Sequence, residues 1–283
     1  DYVTHLCTVE GKAPSTVSQP IGIISALNQS AGFPPLGKEV TKQARLALRG
    51  HRKTRTAGDR EGQAPPITRD RLQAMLGACP RSLAGQRDAV ALVVGWSLAM
   101  REAELVALDI ADVVIADDGL RVFIKGSKTD KDYVGVYRDI PRGQHTANDP
   151  VTLVRAYLAT LAERGADTAQ GSLLRAVTKH DTPRPITTTI RKSDHAVLHY
   201  GRFSADAVDP MIVNAARRAD LVDPSQYSGH SLRAGFASQA AEDGIPLSIW
   251  AEHGRWSKTS PIPLAYVRTA DAKRDNPLKK MGL

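Results

Sequence analysis

The sequence is poor in cysteine, and this scarcity excludes two classes of protein. Among 283 residues there are two cysteines, Cys7 and Cys79. Two thiols cannot build the disulfide framework of a small secreted domain, and their spacing is not that of metal ligands. We therefore expect a reducing, intracellular compartment, no bound metal and no other cofactor.

Long apolar runs are also missing. No stretch approaches the roughly 20 apolar residues that a membrane span requires. The most apolar segment, "DAVALVVGWSLAM" at 88–100, is too short and is typical of a buried helix. The N-terminus carries neither a secretory signal nor an initiator methionine. We expect a cytoplasmic protein with no membrane partner, whose first elements have been trimmed away.

Acidic residues are fewer than basic ones. The chain has 30 Asp and Glu against 38 Lys and Arg, which gives a net charge of +8 and favours an anionic partner such as nucleic acid. Between Lys38 and Arg60 eight basic residues accompany only Glu39 and Asp59. A solvated helix face is one interpretation of this stripe; we prefer a surface that contacts DNA phosphates. The candidate contact residues are Lys42, Arg45, Arg49, Arg52, Lys53 and Arg55.

The hydrophobic pattern divides the chain in two. Helical patterns at about 16–30 and 38–50, the second ending at Gly50 as a C-cap, form a small module over residues 1–55. The polar, basic stretch 56–66, which closes with Pro65 and Pro66, is the predicted linker. A larger domain follows at 67–283, with a basic tail at 272–283 that holds a late set of apolar residues.

The larger domain is predicted to be mainly helical, with one inserted sheet. Three short β-branched and aromatic runs within 112–140 predict a small antiparallel sheet, whose second turn carries three lysines. The segment 187–204 is expected to be irregular. The fold class is therefore mainly α (α+β). Helices are predicted at 68–78, 83–100, 101–108, 151–164, 206–219, 231–243, 246–254 and from 261 onwards.

Six dispersed residues have ordinary interpretations when each is taken alone. The pair in "SGHSLRAGF" fits a capped helix start with a surface arginine, and the arginine of "REAEL" fits an ion pair with Glu104 at i, i+3. A lysine on a hairpin turn is usually solvated, and a tryptophan or tyrosine beside apolar neighbours usually packs in a core. The six residues are Arg101, Lys128, His230, Arg233, Trp256 and Tyr266.

Taken together and in order, these residues make the chain resemble the tyrosine recombinase, or phage integrase, family over essentially its whole length. The resemblance rests on "REAEL", on "SKT" in a predicted turn, on "SGHSLRAGFASQAAEDG" and on "GRWS" followed by "AYVR". The phrase "SGHS" with its arginine, and the tryptophan near the C-terminus, are most similar to the Cre-like branch.

The resemblance implies a fold and a chemistry. The fold is that of DNA breaking-rejoining enzymes: a helical, SAM-like core-binding module, expected to be truncated at its N-terminus, followed by the recombinase catalytic domain. Arg101 and Arg233 would clamp the scissile phosphate, and Tyr266 would attack it. His230 would handle the tyrosine proton, and Lys128 would protonate the leaving 5′ oxygen. The supporting roles fall to Glu104, which would orient the site, and to Trp256, which would pack against or bind the phosphate.

The resemblance further implies the partners: double-stranded DNA with paired inverted-repeat sites, and a homo-tetramer whose protomers exchange C-terminal tails. It implies a bacterial or phage-encoded enzyme that needs neither ATP nor metal. Two residue assignments stay open, because His253 competes with Trp256 and Lys125 competes with Lys128. Two other functions stay open as well: a type IB topoisomerase that relaxes supercoils, and a DNA-binding protein without catalysis.

Overall fold

Three helices are described in the N-terminal unit, Asp1–Gln63, of this computed structural model. The structure describes residues 2–54, 64–126, 134–143, 145–190, 196–274, 278 and 281. The helices are α1 (Tyr2–Thr8), α2 (Pro14–Ser30) and α3 (Lys38–Thr54). Their core consists of Val3, Leu6, Cys7, Val17, Ala44 and Leu48. The division between the two units falls inside 56–66, most of which lies outside the described residues.

The prediction that Gly50 ends the second helix of this unit is wrong. Helix α3 continues to Thr54, and Gly50 does not adopt the left-handed conformation that a glycine C-cap uses. His51, in the last turn, hydrogen-bonds the carbonyl of Lys12 through Nε2 at 2.9 Å. This tertiary contact accompanies the extra turn. Helix α1 has no counterpart among the predicted elements.

The second unit, Ala64–Leu283, is built around a buried helix. Helix α5 (Leu83–Ser97) is apolar on nearly every side, begins at the Ser82 cap and contacts both α7 (Pro150–Glu163) and α9 (Gly229–Glu242). A helix that is apolar all round must be surrounded, which explains its central position. The remaining helices are α4 (Arg69–Gly77), α6 (Glu102–Ala107), α8 (Val208–Arg218), α10 (Leu247–His253) and α11 (Ile262–Arg274).

The central helix ends three residues before its predicted limit at 100. Ala99 has a left-handed φ of 47°, and the N–H of Met100 returns to the carbonyl of Gly95 at 2.9 Å. Such a turn terminates a helix. As a result, the carbonyls of residues 97–99 point out of the helix end, and Arg101 becomes the N-cap of α6.

The predicted three-stranded antiparallel sheet is present. Its strands β1 (Val113–Ile115), β2 (Gly119–Ile124) and β3 (Val136–Pro141) pair in the order β1-β2-β3. Alternate residues of β2, from Leu120 to Ile124, are buried against the helical core, as the period of two requires. The tip of the β2–β3 hairpin, 127–133, lies outside the described residues, and Lys128 with it.

The segment 187–204, expected to be irregular, contains a second hairpin. Strands β4 (Thr187–Ile190) and β5 (Ala196–His199) pair antiparallel, with Thr187 opposite His199. The β-branched run "TTTI" carries this strand preference. The sequence does not reveal this pairing for two reasons. Polar residues separate the two runs, and neither run alternates between apolar and polar residues.

Candidate active site

The end of helix α5 gathers three nitrogen-bearing side chains from the C-terminal part of the chain. The carbonyls of Ser97 and Leu98 accept from His253 Nε2 at 2.8 Å and from Arg255 Nη1 at 3.0 Å. The carbonyl of Ala99 accepts from Arg233 Nη1. The last carbonyls of a helix lack intrahelical partners and carry the negative end of its dipole. This helix end therefore attracts cationic donors into a buried position.

Glu104 lies between two guanidinium groups. Its Oε1 accepts from Arg101 Nη1 at 2.5 Å, and its Oε2 accepts from Arg255 Nη2 at 2.7 Å and from the backbone N–H of Arg101 at 3.1 Å. Burial alone would raise the pKa of Glu104, but the two arginines hold it below its usual value. Glu104 is thus an ionised carboxylate, and it fixes one guanidinium on either side.

Arg233 is the most buried arginine of this cluster, and one of its nitrogens has no hydrogen-bond partner among the described residues. It is 7% exposed, and its guanidinium carbon lies 3.8 Å from the centroid of the Trp256 ring. Among the residues that the structure describes, its Nη2 has no hydrogen-bond partner. Burial, and then Arg101 and Arg255, lower the pKa of Arg233 to about 9, which leaves it protonated at neutral pH. An unsatisfied buried cation of this kind suits an anionic ligand.

Tyr266 reaches the same cluster from helix α11. Its half-buried ring packs on a small apolar cluster built from Ala237, Ala240 and Trp250. Burial is the largest influence on the pKa of Arg233 and lowers it; Glu104, and Tyr266 in its ionised form, act in the opposite direction. The phenol is therefore within electrostatic reach of the enclosed guanidinium.

His230 lies in the first turn of α9, one turn before Arg233. Its side chain is exposed, whereas that of Arg233 is buried. Ser228 begins this helix, and the N–H of Gly229 donates to Asp209 Oδ1 at 2.7 Å. The first turn of this helix, which Asp209 holds in place, therefore carries an accessible imidazole and a buried guanidinium three residues apart.

The structure separates Trp256 from its competitor His253. The Trp256 ring covers Arg233, whereas the His253 ring stacks on Phe236 at 5.2 Å and is tied to the carbonyl of Ser97. Burial lowers the pKa of His253, so it is neutral at physiological pH. Of the two side chains, that of Trp256 is the one that stacks on Arg233, whereas His253 contacts Arg255 through its backbone carbonyl.

Lys125 is fully engaged at the base of the β2–β3 hairpin. Its Nζ lies 2.5 Å from Asp109 Oδ2 and 2.8 Å from Asp112 Oδ2. Lys125 and Gly126 line a cavity of about 300 Å³ together with Arg101 and Glu104. The described base of the hairpin therefore borders the arginine cluster. The other candidate, Lys128, lies outside the described residues.

Arg255 is not among the site residues predicted from the sequence. This residue is 8% exposed and bonds Glu104, yet in the sequence it is only the arginine between Gly254 and Trp256. The sequence hints at its importance only by its position, directly after a predicted helix end and inside the "GRWS" motif. The carbonyl acceptors at 97–99 carry no side-chain signal at all.

The basic stripe forms the exposed face of α3. Ala44 and Leu48 pack into the core of the N-terminal unit, and the basic residues occupy other sides of the helix. Leu36 and Leu46 take part with several of them in a concavity of about 540 Å³. Arg55 lies outside the described residues. The exposed basic residues assigned to DNA contact are Lys42, Arg45, Arg49, Arg52 and Lys53.

Two further properties concern only the described parts of the chain. There, no group of three or more His, Cys, Asp and Glu side chains is arranged to hold a metal ion. Nor does any described helix have the length and apolar character to cross a membrane.

Comparison with known proteins gives consistent matches. Residues 66–273 match the phage integrase family. The chain is 25% identical to an integrase/recombinase XerD homolog of Selenomonas ruminantium, over 99% of this chain and 75% of that protein. It is 24% identical to the Cre recombinase of Escherichia phage P1, over 96% of this chain and 76% of that protein.

Two solved structures share the fold at lower identity. The XerH site-specific recombinase bound to its palindromic difH substrate superposes with a TM-score of 0.55 at 12% identity, over 94% of this chain and 72% of that one. The Tn1549 transposon integrase in complex with circular intermediate DNA superposes with a TM-score of 0.55 at 13% identity, over 93% of this chain and 78% of that one. These likenesses confirm the predicted fold class.

Proposed function

The chain belongs to the phage integrase family, the tyrosine-type site-specific recombinases, and on that premise we propose that it cuts and rejoins duplex DNA through a 3′-phosphotyrosyl bond at Tyr266. One observation carries the proposal. Arg233 is buried beneath Trp256 with an unused donor, in electrostatic reach of the Tyr266 phenol. A cation and a nucleophile held together in this way suit attack on a phosphodiester.

Arg101 and Arg233 bind the scissile phosphate. Attack on phosphorus concentrates negative charge on the non-bridging oxygens, and preorganised guanidinium donors stabilise that charge. Donors of this kind contribute roughly 10²–10³ in rate each. Glu104 holds the Arg101 guanidinium through one oxygen, which leaves its other nitrogens available for the phosphate. Trp256 fixes the plane of Arg233 by stacking on it.

Tyr266 Oη attacks phosphorus, and His230 accepts or shuttles the phenolic proton. A phenol of pKa near 10 is a weak nucleophile at neutral pH, so cations nearby must favour its ionised form. Arg233 meets that need by its charge. The exposure of His230 leaves its imidazole free to approach bound DNA.

Lys128 acts as the general acid. The new Tyr266 Oη–P bond replaces the P–O5′ bond, and the departing O5′ takes its proton from the lysine ammonium. Lys125 is held by two carboxylates, which favours Lys128 for this role. The cavity that Lys125 and Gly126 line together with Arg101 borders the described base of the hairpin, which supports a lysine of this hairpin as the acid.

The same steps in reverse complete strand exchange. The phosphotyrosyl ester retains the energy of the phosphodiester it replaced, so the 5′ hydroxyl of a second strand can attack it without ATP or metal. Tyr266 then recovers its proton, and the Lys128 amine takes up the proton of the attacking hydroxyl. Carried out on two pairs of strands, this sequence recombines two DNA sites.

The basic face of α3 binds the DNA backbone, and the protein acts as a homo-tetramer on paired inverted-repeat sites. In each protomer, Leu72, Trp96, Phe236, Ile249 and Trp250 line an apolar groove of about 660 Å³. Leu278 and Met281 of the tail are exposed. This groove and the exposed apolar residues of the tail support docking of the tail of one protomer on its neighbour.

A covalent-adduct assay tests the proposal. A duplex selected for binding from a randomised pool is nicked near its centre, so that cleavage releases a short strand and traps the intermediate. Wild-type protein should form a denaturant-stable protein–DNA adduct, and Tyr266→Phe should form none. Adduct formation by Tyr266→Phe contradicts the proposal. Relaxation of a supercoiled plasmid that lacks the selected site would instead indicate a topoisomerase.

A further inference from the structure

Arg255 adopts a backbone conformation that arginine rarely takes. It follows helix α10 with φ of 57°, in the left-handed region where a Cβ crowds the backbone. Helices commonly end on glycine at such a position, because glycine has no Cβ. The chain instead places glycine one residue earlier, at 254, and holds a large side chain in the unfavourable conformation. Contacts of the side chain must offset this cost.

Those contacts are buried and directed at the arginine cluster. Arg255 is 8% exposed. Its Nη2 donates to Glu104 Oε2 at 2.7 Å, and its Nη1 donates to the carbonyls of Leu98 at 3.0 Å and His253 at 3.3 Å. The side chain therefore joins the turn before Trp256 to the end of α5 and to the start of α6.

The shared carboxylate connects Arg255 to Arg101. With Oε2 engaged by Arg255, Glu104 offers Arg101 side-chain nitrogens only Oε1. If Arg255 were absent, the buried carboxylate would have Arg101 as its one remaining guanidinium partner and would draw it into a two-pronged pair. The Arg101 nitrogens needed by a phosphate would then be occupied.

We propose that Arg255 is a positioning residue for strand cleavage, which satisfies Glu104 so that Arg101 keeps donors for the scissile phosphate. This inference rests on the proposed function. Arg255 does not touch the DNA; it acts through Glu104. The result is a chain of contacts, Arg255 to Glu104 to Arg101, in which removal of the first member misdirects the last.

Arg255→Gly tests this directly, because glycine accepts the left-handed backbone without strain. We expect the single-turnover rate of adduct formation to fall by about tenfold or more, with DNA affinity changed by less than about threefold. The matched control is Asp220→Gly, since Asp220 also has a left-handed φ, 51°, and is exposed outside the site. That variant should cleave at the wild-type rate.

A double-mutant cycle separates positioning from a general structural role. In the Glu104→Gln background, Arg255→Gly should slow cleavage by less than about threefold, because its route to Arg101 is already broken. Independent effects would multiply, and a multiplied loss contradicts the proposal, as does wild-type cleavage by Arg255→Gly. If Arg255→Gly fails to fold, Arg255→Lys replaces it in both backgrounds. Arg255→Lys should slow cleavage when residue 104 is the native glutamate. It should leave the cleavage rate unchanged in the Glu104→Gln background.

The outcomes also separate this inference from the proposed function. If wild-type protein forms no adduct, the proposed function fails. If wild-type protein forms the adduct and Arg255→Gly forms it equally fast, only the role of Arg255 is wrong.

Discussion

At the residue scale, the Trp256–Arg233 stack depends on a glycine. A Cβ on Gly254 would lie 1.8 Å from Cζ3 of the Trp256 ring, far inside van der Waals contact. The ring cannot keep its place over Arg233 if that position bears a side chain. The requirement is one of space, since the φ of Gly254, −79°, is available to any residue.

Gly254→Ala should therefore displace Trp256 and slow cleavage. We expect a loss of roughly 1–3 kcal/mol in unfolding free energy from overpacking, and a cleavage rate lower by about tenfold or more as Arg233 loses its support. Thermal unfolding and single-turnover adduct formation measure the two effects. Gly77→Ala is the control, because a Cβ there meets nothing within 4 Å. An unchanged cleavage rate in Gly254→Ala would contradict the role of Trp256 in supporting Arg233.

Lys128 gives a second prediction at this scale. Lys128→Ala should slow cleavage of ordinary DNA by about 10²–10⁴, the usual contribution of a general acid. A substrate with sulfur in place of the leaving 5′ oxygen needs no such acid, because a thiolate leaves unprotonated. Cleavage of that substrate by Lys128→Ala should approach the wild-type rate. A loss that persists with sulfur would assign the acid to another residue, and Lys125→Ala is the matched comparison.

Individual residues differ in how far the sequence could predict them. Arg101, Arg233 and Tyr266 belong to dispersed motifs whose order carries the prediction, and the structure brings them into one cluster. Arg255 could not be predicted, because its importance lies in an unusual backbone angle and in a carboxylate 151 positions away. Neither is visible in a local pattern.

At the scale of elements, helix α3 is a strongly two-sided structure. One face packs Ala44 and Leu48 against its own unit, and the other exposes a row of cations. Lys42, Arg45 and Arg49 follow the i, i+3, i+7 spacing of one helix face. A charged row of this kind neutralises DNA phosphates without reading bases.

Loss of charges from this row should weaken DNA binding in a salt-dependent way. For the double variant Arg45→Gln, Arg49→Gln, the slope of log K against log salt should become shallower by roughly 1.8, at about 0.9 per lost phosphate contact. Lys12→Gln, at an exposed lysine before α2, should leave the slope unchanged. Binding titrations from low to moderate salt measure it. An unaltered slope in the double variant would indicate that the basic face of α3 is solvated and does not contact DNA.

The elements were mostly predictable where one period dominates. Helix α5 and the three-stranded sheet follow from apolar and β-branched runs. The β4–β5 hairpin does not, because a polar stretch separates its two short strands and neither strand shows an alternating apolar pattern in the sequence. The extension of α3 past Gly50 is accompanied by the contact of His51 with the carbonyl of Lys12, which joins residues 39 positions apart and has no local signal.

At the scale of the whole molecule, the proposed tetramer makes assembly depend on the C-terminal tail. Removal of 279–283 should weaken tetramer formation on paired sites by about tenfold or more, while binding to a single site changes little, because the proposed assembly packs the tail's apolar residues on a neighbour. Analytical ultracentrifugation with one-site and two-site DNA compares the two. Equal tetramer formation by the truncated chain would contradict tail exchange.

Strand exchange as proposed depends on one covalent bond, between Tyr266 and a 3′ phosphate. The direct measurement is mass spectrometry of the peptide that remains attached to DNA after the trapped adduct is digested with protease. The account predicts a phosphodiester on Tyr266 within the α11 peptide. Attachment at any other residue, or a wild-type protein that cleaves without any attached peptide, would contradict it.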